Sequence, residues 1–238
     1  MQHLGLVDYQ QAWDYQQELM DTCIARKLAN RTAINPEIQK HYLILCEHPA
    51  VFTLGKSGSM DNLLVKEDEL EHRGVNFYKI NRGGDITHHG PGQLVGYPIL
   101  DLDEFFTDIH KYLRFLEEAI ILTLKNLGLT AGRLQGATGV WLEPEVPARA
   151  RKICAMGIRA SRWVTMHGFA LNVNNDLDYF DWIIPCGIDD KQVTSIKKEL
   201  GRTVEMERVM TLFQTHFSKL FGATLTVDLS PISLSTFD

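Results

Sequence analysis

Two residues carry the chemistry of a nucleophile and a base. Cys186 lies between Pro185 and Gly187, a setting that fixes a turn and holds a thiol at a loop tip. A free thiol titrates near ~8.5 and only its thiolate attacks well, so Cys186 needs an activator. Lys152 is the candidate. It opens the run Lys152-Ile153-Cys154-Ala155-Met156-Gly157-Ile158, where strand alternation puts Lys152, Cys154 and Met156 on one face. A lysine on a small, otherwise apolar strand is desolvated, which lowers its pKa and suits it to proton transfer. Spacing leaves two matters open. Lys152 can instead join Arg149 and Arg151 in a solvated basic cluster, and Cys154 competes with Cys186 as nucleophile.

Residues 82–97 hold five of the eighteen glycines, the adjacent His88 and His89, one proline, Arg82 and Asp85. They show no helical spacing and, before Leu94, no strand alternation. They read as a loop whose backbone closely approaches another group, the floor or wall of a site, with a solvent-exposed connection as the plainer alternative. Metal binding is not expected. His88, His89 and His167 lack His-Glu-x-x-His spacing, adjacent histidines in extended chain point opposite ways, and a site needs three or four converging ligands. Gly55-Lys56-Ser57 is not a phosphate loop, because the glycine required five residues earlier is Ala50. No Gly-x-Ser-x-Gly marks a serine hydrolase.

The frame that must hold these residues is 238 residues long, with 45% hydrophobic and 23% charged residues. That is ordinary for a globular chain and enough for one domain, with a small C-terminal lobe from about residue 174. A net charge of −6 argues against sequence-independent nucleic-acid binding. No apolar run reaches the ~18 residues of a membrane span, and the start Met1-Gln2-His3-Leu4-Gly5 lacks a secretion signal's layout. The four scattered cysteines form neither a disulfide framework nor a zinc ribbon, so a cytoplasmic setting is expected. Arg149, Arg151, Arg159 and Arg162 could form a basic patch for an acidic partner or simply a solvated face.

Periodicity predicts helices over 8–30, 66–73, 108–127 and 204–221, with a helical turn in 178–184. Strands are predicted over 42–46, 50–54, 75–80, 94–102, 129–135, 138–142, 152–160, 163–173 and 224–229. Helices among strands without regular alternation favour a mixed α/β sheet of the α+β type over a doubly wound one.

Several stretches together resemble the lipoyl(octanoyl) transferases. They are Arg82-Gly83-Gly84 with Thr87, His89, Gln93 and Tyr97; Glu47-His48-Pro49 with Thr53-Leu54-Gly55; Lys152-Ile153-Cys154-Ala155-Met156-Gly157; His167-Gly168-Phe169-Ala170-Leu171-Asn172; and Pro185-Cys186-Gly187. They fall in family order and span most of the chain. The resemblance implies the mixed sheet shared by biotin protein ligases and lipoate-protein ligases, flanked by helices. It implies transfer of an octanoyl group from octanoyl-acyl carrier protein to a lysine of lipoyl domains, those of 2-oxoacid dehydrogenase complexes and glycine cleavage H protein, without nucleotide or other cofactor. It assigns the nucleophile to Cys186 and the base to Lys152. It implies substrate contacts from Arg82, Gly83, Gly84, Asp85, Ile86, Thr87, His88 and His89, from Ala155, Met156 and Gly157, and from Gly168, Phe169 and Ala170. Two rivals remain: an ATP-dependent lipoate or biotin ligase, which needs no cysteine nucleophile, and an acyl-binding module without turnover.

Overall fold

A computed structural model describes residues 1–184 and 192–228. Cys186 and its neighbours Pro185 and Gly187 lie outside the described residues.

The chain begins with β1 (Gln2–Leu6) and α1 (Tyr9–Asn30). Asp8 caps α1 by accepting from the backbone N–H of Gln10 and Gln11 at 2.8 and 3.2 Å, the pairing its sequence position suggests. Then come β2 (Tyr42–Glu47), β3 (Val51–Leu54), α2 (Glu67–His72), β4 (Asn76–Lys79), β5 (Ile86–His89) and β6 (Gln93–Ile99). Helix α3 (Ile109–Asn126) leads to β7 (Ala131–Gly132), β8 (Val140–Leu142), β9 (Arg151–Ser161) and β10 (Val164–Asn172). The chain continues through β11 (Gln192–Val193), α4 (Ile196–Leu200) and α5 (Met206–Phe221).

The main sheet runs β1-β2-β6-β10-β9-β8-β7, with β11 added alongside β9. The β1–β2 and β11–β9 pairs are parallel and the others antiparallel, so the sheet is mixed as expected. A second, three-stranded sheet has the order β4-β3-β5. On one face of the main sheet α1 buries Ala12, Leu19, Met20 and Cys23 against Ile44, Val95, Tyr97 and Ala170. On the other, α3 and α5 bury Leu116, Ile120, Phe213 and Phe217 against Leu94, Leu171 and Cys154. Each such large side chain contributes roughly 1.5–3 kcal/mol of transfer free energy.

Four expectations shift. Residues 86–89 are strand, not loop, and pair antiparallel with β3. Strand character in 129–135 is limited to Ala131–Gly132. Residues 223–228 are not a strand, though the Asp228 N–H donates to Met1 O at 2.8 Å. β1, β11 and α4 have no counterpart in the periodicity, because each is too short to show one.

Candidate active site

A cavity of about 470 Å3 lies between the α1-side face of the main sheet and the second sheet with its glycine-rich loop. Its base is built by strand pairing. Residues directly opposite on neighbouring strands point to the same face, and Val95, Ala170 and Ala155 are paired across β6, β10 and β9. Gly168 pairs with Gly157 beside them. Side chains this small leave the space that the cavity occupies.

The glycine-rich loop closes over this base. The Gly83 N–H donates to Ile158 O at 2.8 Å, tying loop to β9. A Cβ on Gly157 would stand 2.5 Å from Gly83 O, so only glycine permits the approach. Arg82, buried, donates through Nη2 to Thr53 O at 2.7 Å and Thr53 Oγ1 at 3.0 Å, and through Nη1 to Gly83 O at 3.1 Å. Arg82 thus braces the loop against β3 while lining the cavity.

Burial distinguishes an inner end from a mouth. Ser57, Gly84, Gly136 and Thr138 are exposed, whereas Tyr9, Val95, Tyr97 and His89 are buried. At the inner end the Tyr9 ring stacks on His89 at 5.6 Å and meets His48 edge-on at 5.1 Å. His48 Nδ1 lies 2.8 Å from Val7 O and must donate to it, so Nε2 accepts from the Tyr97 hydroxyl at 2.7 Å. His89 Nδ1 faces Gln93 Oε1 at 2.8 Å. Burial depresses the His48 pKa to about 4 and holds that of His89 well below its usual value, so the imidazoles at this aromatic end are neutral, with the buried Arg82 guanidinium close enough to act on Tyr9, Tyr97 and His89.

His167, on the wall, has φ 58°, a left-handed conformation that costs a non-glycine residue on the order of 1–2 kcal/mol. Its Nε2 lies 2.8 Å from Asn81 Oδ1, and its N–H donates to Gln16 Oε1 at 2.9 Å. Burial drives its pKa to about 3.

Lys152 reaches the cavity through an irregularity. Opposite Val140 and Trp141 on β8 stand Cys154 and Lys152 on β9, so Ile153 is an extra residue, a β-bulge. Ile153 and Cys154 both pack in the α3/α5-side core, and Lys152 comes round to line the cavity. The expected sharing of one face by Lys152 and Cys154 therefore fails. Cys154 is fully buried and does not line the cavity, and burial pushes its thiol pKa far up. Arg151 makes two hydrogen bonds to Glu199, each 2.6 Å, and pairs with Glu143, as does Arg149. Arg159 donates to Gln17. Arg149 and Arg151 are thus neutralised, and Lys152 does not join them.

Of the expected substrate contacts, Arg82, Gly83, Gly84, Asp85, Ile86, Thr87, His89, Ala155, Met156, Gly157, Gly168, Phe169 and Ala170 line the cavity. His88 does not. Strand alternation turns it away into a box formed by Tyr179 (centroids 4.4 Å apart), Phe52 and Phe180, where neither ring nitrogen has a hydrogen-bond partner among the described residues. The Phe169 ring crosses to the α5 side and packs on Phe213 at 4.6 Å. The described chain on either side of residues 185–191 is tied in. The Ile184 N–H donates to Asn62 O at 2.8 Å, and Val193 pairs with Lys152. Sequence reasoning missed Tyr9, which reads as an ordinary apolar helix position, and the buried Glu117. Glu117 accepts from Arg133 at 2.8 Å and from the Gly139 N–H at 3.0 Å, pinning the loop that carries Thr138 at the mouth.

Among the described residues no group of three or more histidine, cysteine or acidic side chains is placed to hold a metal, and no helix is long and apolar enough to cross a membrane.

The family model for the lipoyl protein ligase A/B catalytic domain matches residues 8–218. An octanoyltransferase of Cytophaga hutchinsonii is 60% identical over 225 residues, covering 93% of this chain and 91% of the relative. Among solved structures, the bipartite lipoate protein ligase of Thermoplasma acidophilum superposes with a TM-score of 0.70 at 17% identity, over 95% of this chain and 85% of that one. The biotin protein ligase of Aquifex aeolicus, in complex with biotin and ATP, gives 0.50 at 11% identity, over 93% and 69%. At such identities the likeness concerns the fold, which is the one anticipated.

Proposed function

This chain belongs to the lipoyl protein ligase A/B catalytic domain family and is an acyltransferase of protein lipoylation, and on that premise we propose a two-step octanoyl transfer through Cys186. The donor is octanoyl-acyl carrier protein. The acceptor is a lysine of a lipoyl domain, in 2-oxoacid dehydrogenase complexes or glycine cleavage H protein. Lys152 takes the Cys186 proton, and the thiolate attacks the donor's thioester carbonyl. The tetrahedral intermediate collapses, the carrier's thiolate leaves with the proton returned by Lys152, and the octanoyl group remains on Cys186 as a thioester. The acceptor amine then attacks that thioester and gives its proton to Lys152. Collapse of this second intermediate releases the amide and the Cys186 thiolate. Backbone N–H groups near Gly84 or Cys186 are candidate oxyanion donors, each typically worth about 3 kcal/mol.

The observation that carries this reading is the bulge-placed Lys152 on the wall of a cavity with a small-residue base and an aromatic inner end. Such a base suits an alkyl chain, and a lysine on the same cavity wall is available as base to a carbonyl bound there. Thioester exchange conserves the acyl group's energy, so transfer needs no ATP. That separates this reading from a ligase.

Incubation with octanoyl carrier should add one octanoyl mass to the protein. Cys186→Ala should abolish the adduct and Cys154→Ala should leave it, as read by intact-protein mass spectrometry. Loss of the adduct in Cys154→Ala alone would sink the assignment. Strict dependence of transfer on ATP and magnesium would favour a ligase.

A further inference from the structure

We propose that Trp141 is a positioning residue for Lys152, its indole face seating the ammonium so that Nζ is held at the cavity wall. The inference deepens the reading of Lys152 as the base and rests on it.

Three observations meet here. First, the bulge makes Trp141 and Lys152 direct cross-strand partners, and Lys152 Nζ lies 4.8 Å from the centroid of the Trp141 ring, within the reach of a cation–π interaction. Second, Trp141 is itself immobilised. It is 1% exposed and pairs on its other side with Gly132 of β7. It is absent from the cavity lining, so it can act on the reaction only through another group. Third, its Nε1 is buried with no hydrogen-bond partner among the described residues. A buried indole normally finds a partner for that N–H. Here the N–H is a cost that phenylalanine or leucine would not carry, and the ring face is what remains to explain a tryptophan.

Backbone ties hold the same point. The Thr194 N–H donates to Lys152 O at 2.9 Å, and β11 lies alongside through Val193. The carboxylates on neighbouring elements, Glu143 and Glu199, are engaged by Arg149 and Arg151. A lysine has a long stem with many rotamers, and an aromatic platform narrows them. After each proton transfer the ammonium has a ring to rest on, and the neutral amine is released from it.

The test compares Trp141→Leu, which removes the ring, with Trp141→Phe, which keeps a face. Trp141→Leu should lower kcat about tenfold with KM for the acyl donor unchanged, and Trp141→Phe should stay within about threefold of the parent, given the usual strength of such contacts. Thermal unfolding checks that both variants fold. Independently of activity, reductive methylation with 13C-formaldehyde and NMR should show the Lys152 signal, identified by its loss in Lys152→Arg, moved upfield by the indole ring current. Trp141→Leu should return it to the common lysine position. A Lys152 signal already at that position in the parent protein overturns the proposal, as does unchanged kcat in a folded Trp141→Leu. If the parent transfers no acyl group at all while the ring-current shift is present, the functional reading fails and the seat stands.

Discussion

Ile153 does its work by being one residue too many. In a regular strand Lys152 would share a face with Cys154; the bulge puts Ile153 and Cys154 together on the core side and leaves Lys152 to the cavity. Lys152→Met should therefore lower transfer by the ~10²–10⁴-fold that a positioned base supplies, read in the same acyl-transfer assay. His88 makes a different prediction. Its ring stacks on Tyr179 with both nitrogens unpartnered among the described residues, and an unsatisfied buried polar group costs about 1–3 kcal/mol. His88→Phe should therefore stabilise the fold by about 1 kcal/mol in urea unfolding and leave transfer intact; a clear destabilisation would mean the ring nitrogens matter. At this scale the sequence was most legible in picking out residues that line the cavity, Lys152 and Arg82 among them. It was silent on Tyr9 and on the bulge, because an extra residue in a strand leaves no trace in a pattern that continues on both sides.

Among the elements, β6, β10 and β9 build the cavity base and so set its length. Two strand spacings, on the order of 10 Å, separate Ala155 from Val95 across this base, about the length of an extended medium-length acyl chain. Ala170 stands midway. Ala170→Leu should overfill the cavity at a cost of about 1–3 kcal/mol, a ten- to hundredfold loss with octanoyl donor, while a butanoyl donor suffers less. Val95→Ala should extend the range to longer chains. Competition between donors of graded length reads both outcomes, and an unchanged preference would place the chain elsewhere. The glycines of 82–97 announced a close approach of backbone, and Gly83 on β9 bears that out. That 86–89 is a strand did not show, because its partner β3 lies thirty-odd residues upstream and pairing of that range leaves no local signal. Helices α1, α3 and α5 were legible from spacing alone.

For the molecule as a whole, acid is the weak direction. The folded pKa of His48 is about 4, and those of His88 and His167 about 3, against an ordinary 6.5. Because the folded values are depressed, protons bind the unfolded chain more tightly. The stabilisation is complete above about pH 6.5 and is lost as pH falls toward 4 and then 3. At pH 5.5 these three groups together remove on the order of 4 kcal/mol, a large part of a typical fold's 5–15 kcal/mol. The thermal midpoint should fall steeply between pH 6.5 and 5, and His88→Phe should flatten that fall. A midpoint flat to pH 5 would contradict the burial of these rings.

The same burial divides the nine histidines by reactivity toward an electrophile in solution. Diethyl pyrocarbonate should modify the exposed or partly exposed His3, His41, His72, His110 and His216 and spare His48, His88, His89 and His167. Carbethoxylation of those five histidines thus involves none that lines the cavity. The moment at which His89 and His167 become reactive marks the opening of the site itself, which makes histidine acylation a clock for local unfolding.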